Sequence, residues 1–204
     1  MIDHEFKCIY VHQRKTAGST LISTFKKTVG TDAWSAFNDG VLSEKPLPWS
    51  DVQKHYADYF VFASVRNPWD RFVSGWKYCP STRDRDIVDV LTNLPDAGHD
   101  YRHVTRLQVN TLYEPDGKPV FDALIRFEHL QSDCDQVFQA IGKPLLKLPH
   151  INATPRKHYS KYFSPEALRL FSRHFQKDVD AFGYCYEGGK MGREGGAARK
   201  RWLF

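Results

Sequence analysis

FKCIYVHQRKTAGSTLIS, residues 6–23, decides the fold. Its first half, Phe6 to His12, is apolar and β-branched enough for a buried strand, and the residues from Gly18 to about Val29 suit a helix. Between them Arg14 and Lys15 bring positive charge, Ala17 and Gly18 let the backbone approach a ligand closely, and Ser19 and Thr20 bring hydroxyls. With the partial positive charge of a helix start, that turn reads as a cradle for an anion. It is not a nucleoside-triphosphate P-loop. Of the pattern GxxxxGK[ST], only the Lys15-Thr16 pair is present.

The same grammar recurs downstream. YFVFASV, residues 59–65, is the near-continuous apolar run of a parallel strand covered on both faces. After it Asn67 is placed to cap a helix, with Pro68 at its first position and Asp70 in its first turn, where the helix dipole favours an acid. Ser50 and Gln53 make a capping-box signal for a short helix before this strand. VFDALIRFE, residues 120–128, reads as a third strand, and the segment from about Ser132 to Ile141 as its helix. Ser164 and Pro165 open a last helix whose Leu168, Phe171, Phe175, Val179 and Phe182 recur at helical spacing and mark a core face. Repeated βα units predict a three-layer α/β/α domain around a central parallel sheet, with ligands at the strand ends. In the second turn, Arg66 at the strand end offers a fork of donors and Ser74, two helical turns on, a hydroxyl. That pair suits a terminal phosphate.

At 204 residues and 41% apolar composition the chain is long enough for one well-cored domain, read here as residues 1–187. The net charge of +5 is misleading, because the Gly-rich tail from Gly188 carries +4 of it and leaves the body nearly neutral. Such a tail reads as a solvated, flexible end, and no specific nucleic-acid partner is expected. There is no long apolar run and no apolar leader after MIDHEFK, which predicts a cytoplasmic protein without a membrane span. Cys8, Cys79, Cys134 and Cys185 form no CxxC pair, so free thiols are expected, with neither a zinc site nor a disulfide framework.

KTAGST after an apolar strand resembles the 5′-phosphosulfate loop of sulfotransferases, often His-x-Pro-Lys-Thr-Gly-Gly-Thr. RNPWDRFVSGWKY, residues 66–78, is similar to their 3′-phosphate signature. LIRFEHL, LPHINATPRKHYSKYFSPEAL and DVDAFGY follow in the order seen in the membrane-type carbohydrate sulfotransferases and their bacterial relatives, so the likeness runs from Lys7 to Tyr184. It implies a sulfotransferase fold and 3′-phosphoadenosine 5′-phosphosulfate (PAPS) as sulfuryl donor. By matching position, Arg14, Lys15, Thr16, Ala17, Gly18, Ser19 and Thr20 hold the 5′-phosphosulfate, Arg66 and Ser74 the 3′-phosphate, and Arg156 and Lys157 close over the nucleotide. His12 keeps the usual His, while Gln13-Arg14 replaces a residue and Pro.

Sulfuryl transfer, like phosphoryl transfer, asks for positioning and charge neutralisation, so Lys15 is the expected catalytic cation and no metal is expected. The acceptor, read as a carbohydrate hydroxyl, needs a base. His103, which precedes Gln108 in a segment resembling the family's acceptor-side pair, is the candidate, with His99, His55 and Glu44 as alternatives. Trp34, Trp49 and Tyr101 suit stacking on a sugar ring. Trp69 and Trp76 are open to adenine stacking or to the core, and Arg71 to an ion pair or the nucleotide's edge. Two other readings stay open: a noncatalytic nucleotide-binding module using the basic tail, and a P-loop nucleotide kinase.

Overall fold

The computed structural model describes residues 2–29, 52, 54–149 and 156–187. Ser50, Gln53, Trp34, Glu44, Trp49 and the basic tail fall outside them. The described chain divides into two compact units, one drawn from residues 1–65 and 111–153, the other from 66–110 and 154–201.

The first unit is built on a four-stranded sheet in the order β1 (Ile2–Asp3), β2 (Cys8–Val11), β3 (Phe60–Val65), β4 (Ala123–Arg126). The three strands expected from apolar runs are there, and they are parallel, with Ile9 opposite Val61 and Ala63 opposite Leu124. β2 is buried throughout and β3 everywhere but Phe60, which is why they read as unbroken apolar runs rather than alternations. β1 was not expected. It adds antiparallel to β2 at the edge, and two residues are too few to show a period. Its Asp3 is fully buried against the Lys143 ammonium at 3.4 Å. β4 is shorter than the predicted 120–128. Asp122 exchanges bonds of 2.7 Å with the backbone of Val61, and the chain leaves the sheet after Arg126 in a 3₁₀ turn that holds the exposed Glu128.

Helix α1 (Gly18–Val29) follows β2 with the bounds expected for it. The helix after β4 runs from Leu130 to Ala140. Cys8, Tyr10, Phe62 and Ile125 of the sheet form one core with Leu21 of α1 and with Cys134, Val137 and Phe138.

The second unit is helical. α2 (Pro68–Tyr78) starts as predicted: the Asn67 side chain accepts from the N–H groups of Trp69 and Asp70, and Pro68 sits at the first position. α3 (Ile87–Thr92) is capped by Asp86. A helical turn, Gly98–Asp100, runs into one π turn, Tyr101–Thr105. With the helix at 130–140 as α4, α5 (Pro165–Phe182) is capped by Ser164 and ended by Gly183, whose φ of +65° no β-carbon opposes. Phe171, Phe175 and Val179 of α5 share a core with Phe72, Trp69 and Trp76 of α2, which settles both tryptophans as core; the Trp76 indole N–H donates to the Thr82 carbonyl at 2.8 Å. No helix among the described residues is long and apolar enough to cross a membrane, and no cysteine is in a disulfide.

Candidate functional site

The loop between β2 and α1 is tied down by hydroxyls. Thr16 Oγ1 donates to the Gln13 carbonyl at 2.9 Å and bonds Ser64 Oγ of β3 at 2.7 Å, and Ser64 in turn meets the Tyr10 hydroxyl of β2. All three side chains are buried. With Thr16 pinned, the backbone on either side bends into the left-handed region, Lys15 at φ +69° and Ala17 at φ +67°. For residues other than glycine each such turn costs about 1–2 kcal/mol, which the buried hydroxyl chain offsets. Left-handed residues in a turn are the backbone conformation from which anion nests are built, and these two stand just ahead of the first turn of α1. Arg14 and Lys15 are half-buried there, Ser19 exposed and Thr20 buried. Gly18 also makes room within the loop: a β-carbon there would overlap the His12 imidazole. The amide nitrogen of buried Gln13 finds no hydrogen-bond partner among the described residues.

In the helical unit Arg66 stands just ahead of the Asn67 cap, and Asp70 and Ser74, four apart, lie on one face of α2. The buried Arg66 guanidinium holds Asp70 Oδ2 through Nε at 2.8 Å and Nη2 at 2.6 Å. Arg156 reaches the other oxygen, Oδ1, at 2.6 Å. One carboxylate thus sits between two guanidinium groups, and the trio keeps a net positive charge. Arg156 Nη1 is buried and unpartnered among the described residues, a donor suited to an incoming anion. Lys157 is exposed beside it.

Arg66 is positioned by a layer that the sequence did not announce. The Gln108 side chain accepts from Arg66 N and donates to Arg66 O, both at 3.0 Å, gripping that backbone as a neighbouring strand would. Gln108 is itself fixed by Asp178 of α5, whose carboxylate accepts from the N–H groups of Gln108 at 2.9 Å and Val109 at 3.0 Å. Arg71 lies fully buried beside Asp178; burial lowers its pKa to about 10 and raises that of Asp178, with each attraction only partly opposing the shift. Gln108, expected on the acceptor side, therefore spends its amide on structure. DVDAFGY contained Asp178, but nothing in its spacing announced a partner 70 residues away.

His103 is buried in the π turn, its Nδ1 bonded to the His99 carbonyl at 2.9 Å and its ring stacked against His99 at 4.1 Å and Tyr78 at 5.0 Å. His99 and His55 are exposed.

A model of the sulfotransferase family matches residues 1–185, nearly the whole chain. The chain belongs to the sulfotransferase family. As a sulfotransferase it moves a sulfuryl group to a hydroxyl-bearing acceptor. No curated protein and no solved structure matches it. Within this sulfotransferase the structure brings Arg66 and Arg156 together on Asp70 in the helical unit, with Ser74 one turn beyond Asp70 on α2, while residues 13–20 form the loop and first turn after β2 in the sheet unit.

Proposed function

We propose that this sulfotransferase takes its sulfuryl group from PAPS and delivers it to a hydroxyl of a carbohydrate. The observation that carries the reading is the loop at 13–20, which combines two left-handed residues, a helix start, Arg14 and Lys15 within eight positions, with a buried Gln13 amide nitrogen that has no partner among the described residues. That donor set fits a phosphosulfate, and the Arg66 and Arg156 pair on Asp70, with Lys157 next in the chain and the Ser74 hydroxyl on the same helix, fits a phosphate monoester. The carbohydrate reading rests on likeness to the carbohydrate branch.

In this reading Arg14, Thr16, Ala17, Gly18, Ser19 and Thr20 hold the 5′-phosphosulfate, and Arg66 and Ser74 the 3′-phosphate. Lys15 meets the charge that appears on the bridging phosphate oxygen as its bond to sulfur breaks, while the acceptor oxygen bonds to sulfur from the opposite side. His103 takes the acceptor's hydroxyl proton on Nε2, since a carbonyl that only accepts keeps its Nδ1 proton in place.

Incubation with ³⁵S-labelled PAPS and a panel of oligosaccharides, lipid-linked sugars and small alcohols is expected to yield labelled product and adenosine 3′,5′-bisphosphate. Lys15→Ala should lower kcat by about 10² to 10³ while the protein stays folded, the loss for one donor aimed at developing charge. Near-normal turnover by the folded variant would refute the role of Lys15, and no transfer to any acceptor despite donor binding would leave a binding module in its place.

A further inference from the structure

We propose that Cys79, His99 and His103 form a binding site for a single zinc-class divalent ion. The Cys79 sulfur and one nitrogen from each imidazole all lie within 4.8 Å of one another. A tetrahedral zinc ion at ordinary bond lengths wants such donors about 3.3–3.6 Å apart, so the site is completed when the donors close by about 1 Å and the His99 ring turns out of its stack on His103 to aim its lone pair at the same ion. His99, exposed where the other two are buried, is the ligand able to make that movement and marks the access route.

The surroundings are those of histidines prepared for a metal. His99 Nδ1 donates to Asp100 Oδ1 at 2.7 Å, and His103 Nδ1 donates to the His99 carbonyl at 2.9 Å. Carboxylate and carbonyl oxygens only accept, so both rings carry their proton on Nδ1 and present the lone pair on Nε2. An oxygen acceptor behind each ligating ring is the usual outer shell of a metal site. Asp100 also accepts from the Ser81 hydroxyl, which fixes the carboxylate behind His99.

The backbone holds the three residues together. His99 and His103 are four apart, at the place where a helical turn passes into a π turn, a feature common at functional sites. Gly75 of α2 lets the His103 carbonyl approach so closely that a β-carbon would overlap it, which brings Cys79, at the end of the same helix, against the π turn. One thiolate and two imidazoles select zinc over magnesium or calcium. On binding, the Cys79 S–H bond breaks, its proton leaves to solvent, and sulfur and two nitrogens replace water on the ion; water keeps the fourth position.

The site stands independently of the sulfuryl-transfer reading but touches it, since the ion would use the His103 Nε2 assigned above to the base. The test uses the full chain stripped with a chelator. Titration with Zn²⁺ against a chromophoric competitor should show one equivalent bound, and Co²⁺ should develop thiolate-to-metal charge-transfer absorption. Cys79→Ser and His99→Ala, each confirmed as folded by circular dichroism, should lose the bound equivalent; Cys185→Ser should keep it. Asp100→Asn should weaken binding about 10- to 100-fold. Wild-type binding no tighter than that of Cys79→Ser, or cobalt spectra without thiolate bands, overturns the site. Activity separates the two readings: zinc that inhibits the parent reversibly but not Cys79→Ser supports both, whereas a zinc-loaded enzyme of full activity keeps the site and removes His103 as base.

Discussion

Ala17 stands at φ +67° where the resembled loop carries its first glycine, so this chain forms the nest at the expense of backbone strain. Ala17→Gly relieves a left-handed penalty of about 1–2 kcal/mol and returns about 0.4–1 kcal/mol to the unfolded chain as entropy. The variant should therefore be as stable as the parent or up to about 1.6 kcal/mol more stable in urea denaturation, and a clear loss would show that the loop does not hold that conformation. Single cysteines also differ sharply. Burial pushes the Cys8 and Cys134 thiols up to about 12, while Cys185 is exposed. A disulfide reagent near neutral pH should label Cys185 at once and reach Cys8 and Cys134 only after unfolding. Rapid labelling of either in the native protein would contradict their placement in the sheet's core.

Among elements, the start of α2 combines stability with chemistry. Asn67 accepts from Trp69 N at 3.1 Å and Asp70 N at 3.2 Å, and those bonds hold the turn from which Asp70 meets Arg66 and Arg156. Asn67→Ala should cost about 1 kcal/mol, the usual loss for a cap, and weaken adenosine 3′,5′-bisphosphate binding as well. Calorimetry that finds the affinity unchanged would separate the cap from the site. The motif RNPWD was legible because capping, proline placement and dipole preference are local rules. The Gln108 grip on Arg66 was not: a glutamine side chain standing in for a strand needs a neighbour 42 residues away, and no spacing rule encodes that.

In the helical unit as a whole, Arg71 and Asp178 are two charged groups held in the core against the cost of burial. Burial holds the Asp178 carboxyl above its ordinary range even though Arg71 and two N–H groups pull the other way. The folded chain thus keeps this proton to a higher pH than the unfolded chain. The stability tied to Asp178 is fully present below the ordinary carboxylate value and falls as pH rises through the folded one. Asp178→Asn should flatten that stretch of the stability curve, followed by urea unfolding across mildly acidic pH; an unchanged slope would show that Asp178 does not titrate there. Asp178→Ala, which removes the carboxylate that faces buried Arg71 and accepts from the N–H groups of Gln108 and Val109, should cost about 3–5 kcal/mol.

From the sequence alone came the βα order, the bounds of α1, the caps of α2 and α5, and the two turns rich in cations, because each depends on residues within a few positions of one another. The tertiary structure alone decided that Gly18 makes room for His12, that Asp70 joins two arginines, that Asp178 acts through Gln108 on Arg66, and that Cys79 meets two histidines. Those are contacts between distant segments. Their distances are set by how helices and strands pack, and residue spacing along a chain carries no record of that packing.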